Sequence, residues 1–444
     1  MNLQLLIDNK QKQIHSSMSV KILATGDLHI GKKSSALSTD AKELATKHTW
    51  EQIIKRVIND NFDVLVLTGD IVDRDNRYFE AVGPLQAGFN RLREAGIQVF
   101  LISGNHDYDV LRQTADQTKY RNIHILGANG RWETKTITIN GQEIRFVGWS
   151  FPSQHVAINP LLDLKINHQD IPTIGLLHTD LDSKKSHYAP VRIENFFEHP
   201  VDAWVLGHIH KPQTIRDNAP LISYPGSPHA LSPKEQGIHG PLQIMVESKH
   251  NIRFNQIPLS PVRYETLTIN ITKTLNEESL RKLVVDSIQE FKEENRDNLI
   301  EVRYLILDLL LTGEHSNVRK IEEWMSTIQE HFSYEEAINI SVRKIDYDLM
   351  PAIERLTNLA QEASPAGLLA ETILAIQNGN NTPLLNNLIK KWKDEAERIN
   401  NAPVFYRLKT NHRTIDPNDH TAKREILTQC RRLLAELLIQ KSEE

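Results

Sequence analysis

The sequence predicts an α/β protein with a layered first domain, a small βαβαβ module after it and a helical C-terminal region. Three patterns carry this reading. Short apolar runs alternate with helical periodicities over residues 20–125, and a second strand–helix alternation runs over 264–346. Beyond residue 351 only helical spacing persists, interrupted at Pro365, at 378–383 and at Pro403.

The totals set the frame. A chain of 444 residues exceeds one ordinary core, so more than one domain is expected. Hydrophobic content of 39% with 25% charged residues describes a globular protein. A net charge of −5 argues against a uniformly basic nucleic-acid coat, though not against a local basic groove. One cysteine, Cys430, excludes an internal disulfide framework and fits a reducing, cytoplasmic setting. Nineteen histidines beside it make any metal site an imidazole and carboxylate site, which favours manganese, iron or zinc over a thiolate cluster. No apolar run approaches the roughly 18 residues of a membrane span, so no membrane partner is expected. Residues 1–17 lack the pattern of a secretory signal and are expected to form a flexible arm.

In chain order, 20–25 reads as a buried strand that ends in Asp27 and His29. Residues 39–60 carry Leu44, Trp50, Ile53, Ile54, Val57 and Ile58 at helical spacing. The strand at 63–67 delivers Gly69, Asp70, Asp73 and Arg74, and 79–95 reads as a helix closed by Gly96. The strand at 99–102 runs into Ser103, Gly104, Asn105, His106 and Asp107. From 122 to 150 the pattern turns to β, with Asn140-Gly141 as a hairpin signal. Strands at 174–177 and 203–206 then end in His178 and in His208 with His210. Pro258 and Pro261 mark a boundary, so 18–258 is expected as the first domain, 262–350 as a recognition or capping module and 351–444 as a helical region. Trp149, Trp204 and Trp324 are expected in cores.

Five strands thus end in candidate ligands: Asp27 with His29, Asp70, Asn105 with His106, His178, and His208 with His210. Singly, each has an ordinary reading, since a histidine after a strand is usually a hydrogen-bonded loop residue and Gly-Asp is usually a turn. Together they would converge at the carboxyl edge of a parallel sheet. Carboxylates brought together there repel one another unless a cation neutralises them. The donor count suits two octahedral ions better than one, with a carboxylate such as Asp70 bridging them. His48, His124, His155, His168, His187, His199, His229 and His239 read as surface or packing residues.

In their order and spacing, Gly-Asp-Leu-His, Gly-Asp-Ile-Val-Asp, Gly-Asn-His-Asp, Leu-His and Gly-His-Ile-His resemble the calcineurin-like metallophosphoesterases. The Tyr-Pro-Gly-Ser-Pro segment and the βαβαβ module narrow the likeness to the SbcD and YhaO group of DNA repair exonucleases, bacterial relatives of the meiotic-recombination nuclease. The resemblance implies a four-layer sandwich of mixed sheets flanked by helices. It implies one manganese ion (or magnesium) on Asp27, His29, Asp70 and His210, and a second on Asp70, Asn105, His178 and His208. His106 would protonate the leaving oxygen and Asp107 would fix the His106 ring, with Asp73 and Arg74 behind the ligands. The implied activity is DNA exonuclease or endonuclease hydrolysis, as a homodimer through 79–95 and 108–120 and with an SbcC-like coiled-coil ATPase. A small-molecule phosphodiesterase or protein phosphatase, and a non-catalytic DNA-end scaffold, are the alternatives.

In the tail, Ile426, Cys430, Leu433, Leu434, Leu437 and Leu438 form a helical stripe that suits either its own domain or a partner's coiled coil. The basic residues around it (Arg407, Lys409, Arg413, Lys423, Arg424, Arg431 and Arg432) suit a solvated face or a DNA phosphate contact.

Overall fold

Alternation along the first strands decides the architecture. The computed structural model of the chain describes residues 19–35, 41–73, 81–111, 120–183, 185–315, 318–330, 334–335, 338–351, 356–402 and 415–443. Two compact units divide the chain: Met1–Thr266 with Lys292–Leu307 and Ser333–Arg343, and Leu267–Phe291 with Asp308–Phe332 and Lys344–Glu444.

In the first unit, β1 (Val20–Thr25), α1 (Thr46–Asn59), β2 (Val64–Thr68), α2 (Val82–Glu94), β3 (Gln98–Ile102) and β4 (Ile123–Ile125) follow in turn. Strands β1 to β4 pair in parallel. Val20, Ile22, Ala24, Val64, Val66, Phe100 and Ile102 face one core; Leu23, Leu65, Leu67, Val99 and Leu101 face another. A strand buried on both faces must read as a continuous apolar run, which is how these segments read. The second of those cores takes Trp50, Ile53, Ile54 and Val57 of α1 with Leu85, Phe89 and Leu92 of α2. A 3-10 turn at Lys42–Leu44 precedes α1, so the helix expected over 39–60 is two elements.

A second sheet follows, from β5 (Glu133–Ile139), β6 (Gln142–Trp149), β7 (Thr173–His178), β8 (Ala203–Gly207), β9 (Gln213–Arg216) and β10 (Leu221–Tyr224). Its strand order is β5-β6-β7-β8-β10-β9, parallel from β6 to β10. Asn140 and Gly141 both take positive φ between β5 and β6, as the tight hairpin requires. β11 (Leu242–Ser248) and β12 (Asn251–Gln256) return to the first sheet, whose order is β12-β11-β1-β2-β3-β4. The inner core joins Ile22, Val66 and Phe100 of one sheet to Phe146, Ile174, Leu176 and Val205 of the other. The outer face of the second sheet buries Trp149, Trp204 and Tyr224 against Leu161 and Phe196. The chain is therefore mixed α/β, with two large mixed sheets flanked by helices and by short 3-10 turns. The ligand-bearing strands belong to two sheets, not to the single edge anticipated from the parallel-sheet rule.

A four-stranded sheet, order β13-β14-β16-β15, is built from β13 (Val262–Asn270), β14 (Tyr304–His315), β15 (Tyr334–Glu335) and β16 (Asn339–Pro351), with α3 (Glu277–Glu294) and α4 (Val318–Glu330) between them in sequence. Trp324 is only partly buried, beside His315, because it lies at the margin of the apolar stripe formed by Ile321, Met325 and Ile328.

The helical region of the second unit holds α5 (Leu356–Leu359), α6 (Pro365–Gln377), α7 (Pro383–Asn401) and α8 (Asp419–Glu443). Pro365 and Pro383 do not break helices but start them. Each sits in the first turn behind a cap, Ser364 accepting from Gly367 N and Thr382 from Leu385 N. Ala422, Ile426, Cys430 and Leu434 of α8 pack on Ala370, Ile373, Leu385 and Ile389 of α6 and α7, while Leu433 is half exposed. Arg431 is buried and pairs with Glu314, so it is not a free phosphate contact. Arg407, Lys409 and Arg413 lie outside the described residues, as do Arg74, residues 1–17 and most of 108–120. The apolar side of α2 is turned into the core. No helix among the described residues is long and apolar enough to cross a membrane.

Candidate metal centre

The site is built by five strand ends from two sheets. The loops after β1 and β2 run side by side, tied by Asp27 N to Gly69 O at 3.0 Å, His29 N to Asp70 O at 3.0 Å and Ile30 N to Ile71 O at 2.9 Å. Asp27, His29, Asp70 and His208 all adopt positive φ, at 48°, 46°, 50° and 103°. A non-glycine residue held there is strained, and such strain concentrates at functional sites. Gly104 is required by close approach: any side chain there would run into the Asp70 carboxylate and the His178 ring.

The donor atoms cluster tightly. Ligand atoms of Asp27, His29 and His210 lie within 4.8 Å of one another, as do those of His29, Asp70 and His106 and those of Asp27, Asp70 and His178. Asn105 Oδ1 lies 3.1 Å from His178 Nε2. The His208 ring sits 5.3 Å from that of His178 and 5.0 Å from that of Tyr188, and its backbone N–H donates to both oxygens of Asp27 at 3.1 Å. All eight of the strand-end residues singled out in the sequence therefore meet in one place.

The donors fit cations better than they fit each other. His178 Nδ1 donates to Thr68 O at 3.0 Å, so in the neutral ring Nε2 is a bare acceptor, facing the acceptor Asn105 Oδ1. His210 Nδ1 donates to Glu235 Oε1 at 3.0 Å, so its Nε2 is also an acceptor, and it faces His29 Nε2 at 3.1 Å. Lone-pair atoms this close need a proton or a metal ion between them. These residues can therefore hold divalent metal ions.

Burial tunes the charges. Burial foremost raises the pKa of Asp27, while for Asp70 the same burial is outweighed by His178, His29, His106 and the His106 N–H at 2.8 Å, which hold it below the usual carboxylate range. His208 is pushed down to about 3 by burial and by its neighbour His178.

Two residues behind the cluster differ from expectation. Asp107 does not orient the His106 ring: its carboxylate accepts Gly104 N at 2.8 Å, Ile71 N at 2.6 Å and Val72 N at 3.4 Å, and so pins the loops after β2 and β3 together. Burial and the Asp70 charge push its pKa up to about 7. Asp73 is the carboxylate that faces the rings, 3.5 Å from His29 Nδ1 and 3.8 Å from His106 Nδ1, with Lys32 Nζ at 2.8 Å. The sequence reading missed Lys32 and Glu235. Glu235 closes a Ser-x-x-Glu turn, a pattern that ordinarily signals a helix cap and carries no metal signal.

Comparison with known proteins agrees with this geometry. Residues 20–212 match the model of the calcineurin-like phosphoesterase family. Over 244 residues the chain is 28% identical to an uncharacterized metallophosphoesterase, YhaO, of Bacillus subtilis, covering 54% of this chain and 59% of that protein. It is 26% identical to the SbcD component of the nuclease SbcCD of Bacillus subtilis (49% of this chain, 64% of that one) and 20% identical to the DNA double-strand break repair protein Mre11 of Methanopyrus kandleri (50% and 52%). The chain thus spans between about half and two thirds of each relative's length. The strand-end motifs, the fold and the family match agree over residues 20–212, which are similar to the calcineurin-like phosphoesterases.

Proposed function

We propose that the chain is a metal-dependent DNA nuclease that hydrolyses phosphodiester bonds at a dinuclear site. The observation that carries this is the convergence of ligand atoms from Asp27, His29, Asp70, His106, His178 and His210, with His29 against His210 and Asn105 against His178 at 3.1 Å and Asp70 common to two of the sets. Asp27, His29, Asp70 and His210 would hold one ion, and Asp70, Asn105, His178 and His208 the other, with manganese as the favoured metal. When bound, such a pair neutralises phosphate charge and acidifies water for in-line attack.

The protein's own part is placement and proton transfer. His106 keeps its ring about a third exposed beside His29 and Asp70, where it contacts the scissile phosphate and hands a proton to the leaving oxygen. Asp73 steadies the His29 ring, and Asp107 holds the loops that carry Asp70 and His106 in register. The module at 262–350 is assigned to DNA recognition; association with a second copy and with an SbcC-like ATPase belongs to the same reading, and the name of one relative as a subunit of the nuclease SbcCD supports a partner subunit.

The test is cleavage of defined single- and double-stranded DNA ends with manganese by the native chain, His106→Ala and Asp70→Ala. Cleavage by the native chain alone is expected; equal rates in all three would defeat the assignment. The family match is to phosphoesterases in general, so bis(p-nitrophenyl) phosphate is run in parallel. Turnover of that ester with none of DNA would favour a small-molecule phosphodiesterase.

A further inference from the structure

Glu235 lies outside every motif that defines the cluster, yet both of its carboxylate oxygens are committed next to it. Oε1 accepts from His210 Nδ1 at 3.0 Å and Oε2 accepts from Leu231 N at 2.7 Å, while Glu235 N donates to Ser232 O at 2.9 Å. Its side chain is only 12% exposed. This is a built contact, unlike a surface ion pair between two free-swinging side chains.

The segment around it grips His210 a second time, since Ser227 N donates to His210 O at 2.8 Å. The same segment is stapled to the loop that carries His29. Ser35 N donates to Leu231 O at 3.0 Å, Ser34 Oγ donates to Ala230 O at 2.7 Å, and the His229 ring bridges Ser34 Oγ at 2.8 Å and Thr49 Oγ1 at 2.6 Å. One turn therefore sets the separation of His29 and His210, whose Nε2 atoms meet at 3.1 Å. Behind the opposite ring, Asp73 stands 3.5 Å from His29 Nδ1. The two rings point at one spot, each with a carboxylate at its back.

We propose that Glu235 is a positioning residue for the metal centre: it fixes the tautomer and ring plane of His210, so that Nε2 presents a lone pair to the ion shared with His29. Glu235 does not ligate that ion itself, because it occupies the edge of the ring away from Nε2. The carboxylate also raises the basicity of the ring it accepts from, which strengthens a histidine ligand. This inference rests on the assignment of His29 and His210 as ligands of one cation.

The experiment is calorimetric titration of manganese into the metal-free full chain, comparing native protein with Glu235→Ala, Glu235→Gln and His210→Ala. Glu235→Ala is expected to weaken one binding step by about tenfold or more. Glu235→Gln is expected to weaken it less, because its amide oxygen still accepts the Nδ1 proton. Melting of the Gln variant in chelator should match the native chain. If His210→Ala weakens binding while both Glu235 variants bind as the native chain does, the positioning role is overturned. If His210→Ala itself binds normally, the cation assignment falls and this proposal with it. Should Glu235→Ala not fold, the Gln variant decides: weaker binding with an unchanged metal-free melt supports the role, and unchanged binding removes it. Imidazole ¹⁵N spectra of the metal-free native chain supply an independent reading, with Nδ1–H expected at His210 and Nε2–H overturning the proposal.

Discussion

The strand-end cluster and the C-terminal stripe look alike as sequence patterns, and the structure treats them in opposite ways. Both are residues of one chemical kind recurring at regular places, and both invite an external partner. In the stripe, Ile426, Cys430 and Leu434 find that partner at home, against Ile373, Leu385 and Ile389. In the cluster, His178, Asn105, His29 and His210 come together in pairs of ligand atoms 3.1 Å apart that need a proton or a cation between them. An apolar surface is satisfied by any apolar neighbour, whereas a set of lone pairs is satisfied only by a proton or a cation. Groups that assemble without satisfying one another therefore point to a ligand more sharply than a pattern that is merely regular.

That contrast can be broken in order of expected effect. The largest is chemical. His106→Ala should lower manganese-dependent DNA cleavage by about 10²–10⁴-fold while manganese binding, read by calorimetry, persists. Loss of both together would make His106 a ligand. Next is the stripe. Leu434→Ala removes a fully buried side chain and should cost about 2–5 kcal/mol in urea unfolding of the second unit, with manganese affinity unchanged. A negligible cost would mean the stripe is not a core after all. Deleting 420–444 should, for the same reason, expose the apolar faces of α6 and α7 and promote aggregation, so lost ATPase association in that variant is no evidence for a docking helix.

Smaller effects probe how the cluster is held. Gly104→Ala should weaken metal binding, because the new methyl meets Asp70 and His178, and should leave the urea midpoint of the helical unit in place. The pH dependence is the mildest test. Burial lowers His229 from 6.5 to about 4, so between those values the unfolded chain binds a proton that the folded chain does not. His229 should then contribute stability that is fully present above about pH 6.5 and is lost as pH falls towards 4, by on the order of 3 kcal/mol, in addition to the loss from His208, which is also held below its ordinary value. His229→Gln should flatten that decline, and an equally steep curve in the variant would place the titration elsewhere.

Much of the fold was legible because strands buried on both faces must be continuously apolar, and β1, β2, β3, β7 and β8 all read that way. What such runs do not encode is which sheet a strand joins, so the two-sheet arrangement around the site was not visible in them. Nor did helical spacing reveal that Trp324 sits at the edge of its stripe. Among the residues of the cluster, Asp27, His29, Asp70, Asn105, His106, His178, His208 and His210 were readable because each lies at the end of a strand or within four residues of one, where the chain has little freedom. Glu235 and Lys32 were not, since they reach the cluster from turns whose course depends on distant contacts.

The sequence by itself determined the chemistry on offer: an imidazole and carboxylate donor set at strand ends, a layered α/β first domain and an apolar helical tail. Those follow from residue type and local period, which neighbours in the chain enforce. Tertiary structure alone decided the assignments within that chemistry. It turned Asp107 from the ring to the backbone, put Asp73 and Glu235 behind the two facing rings, and closed the tail on itself. Each of those depends on where a carboxylate or a methyl group ends up relative to atoms far away in the chain, and only the packed fold fixes that distance.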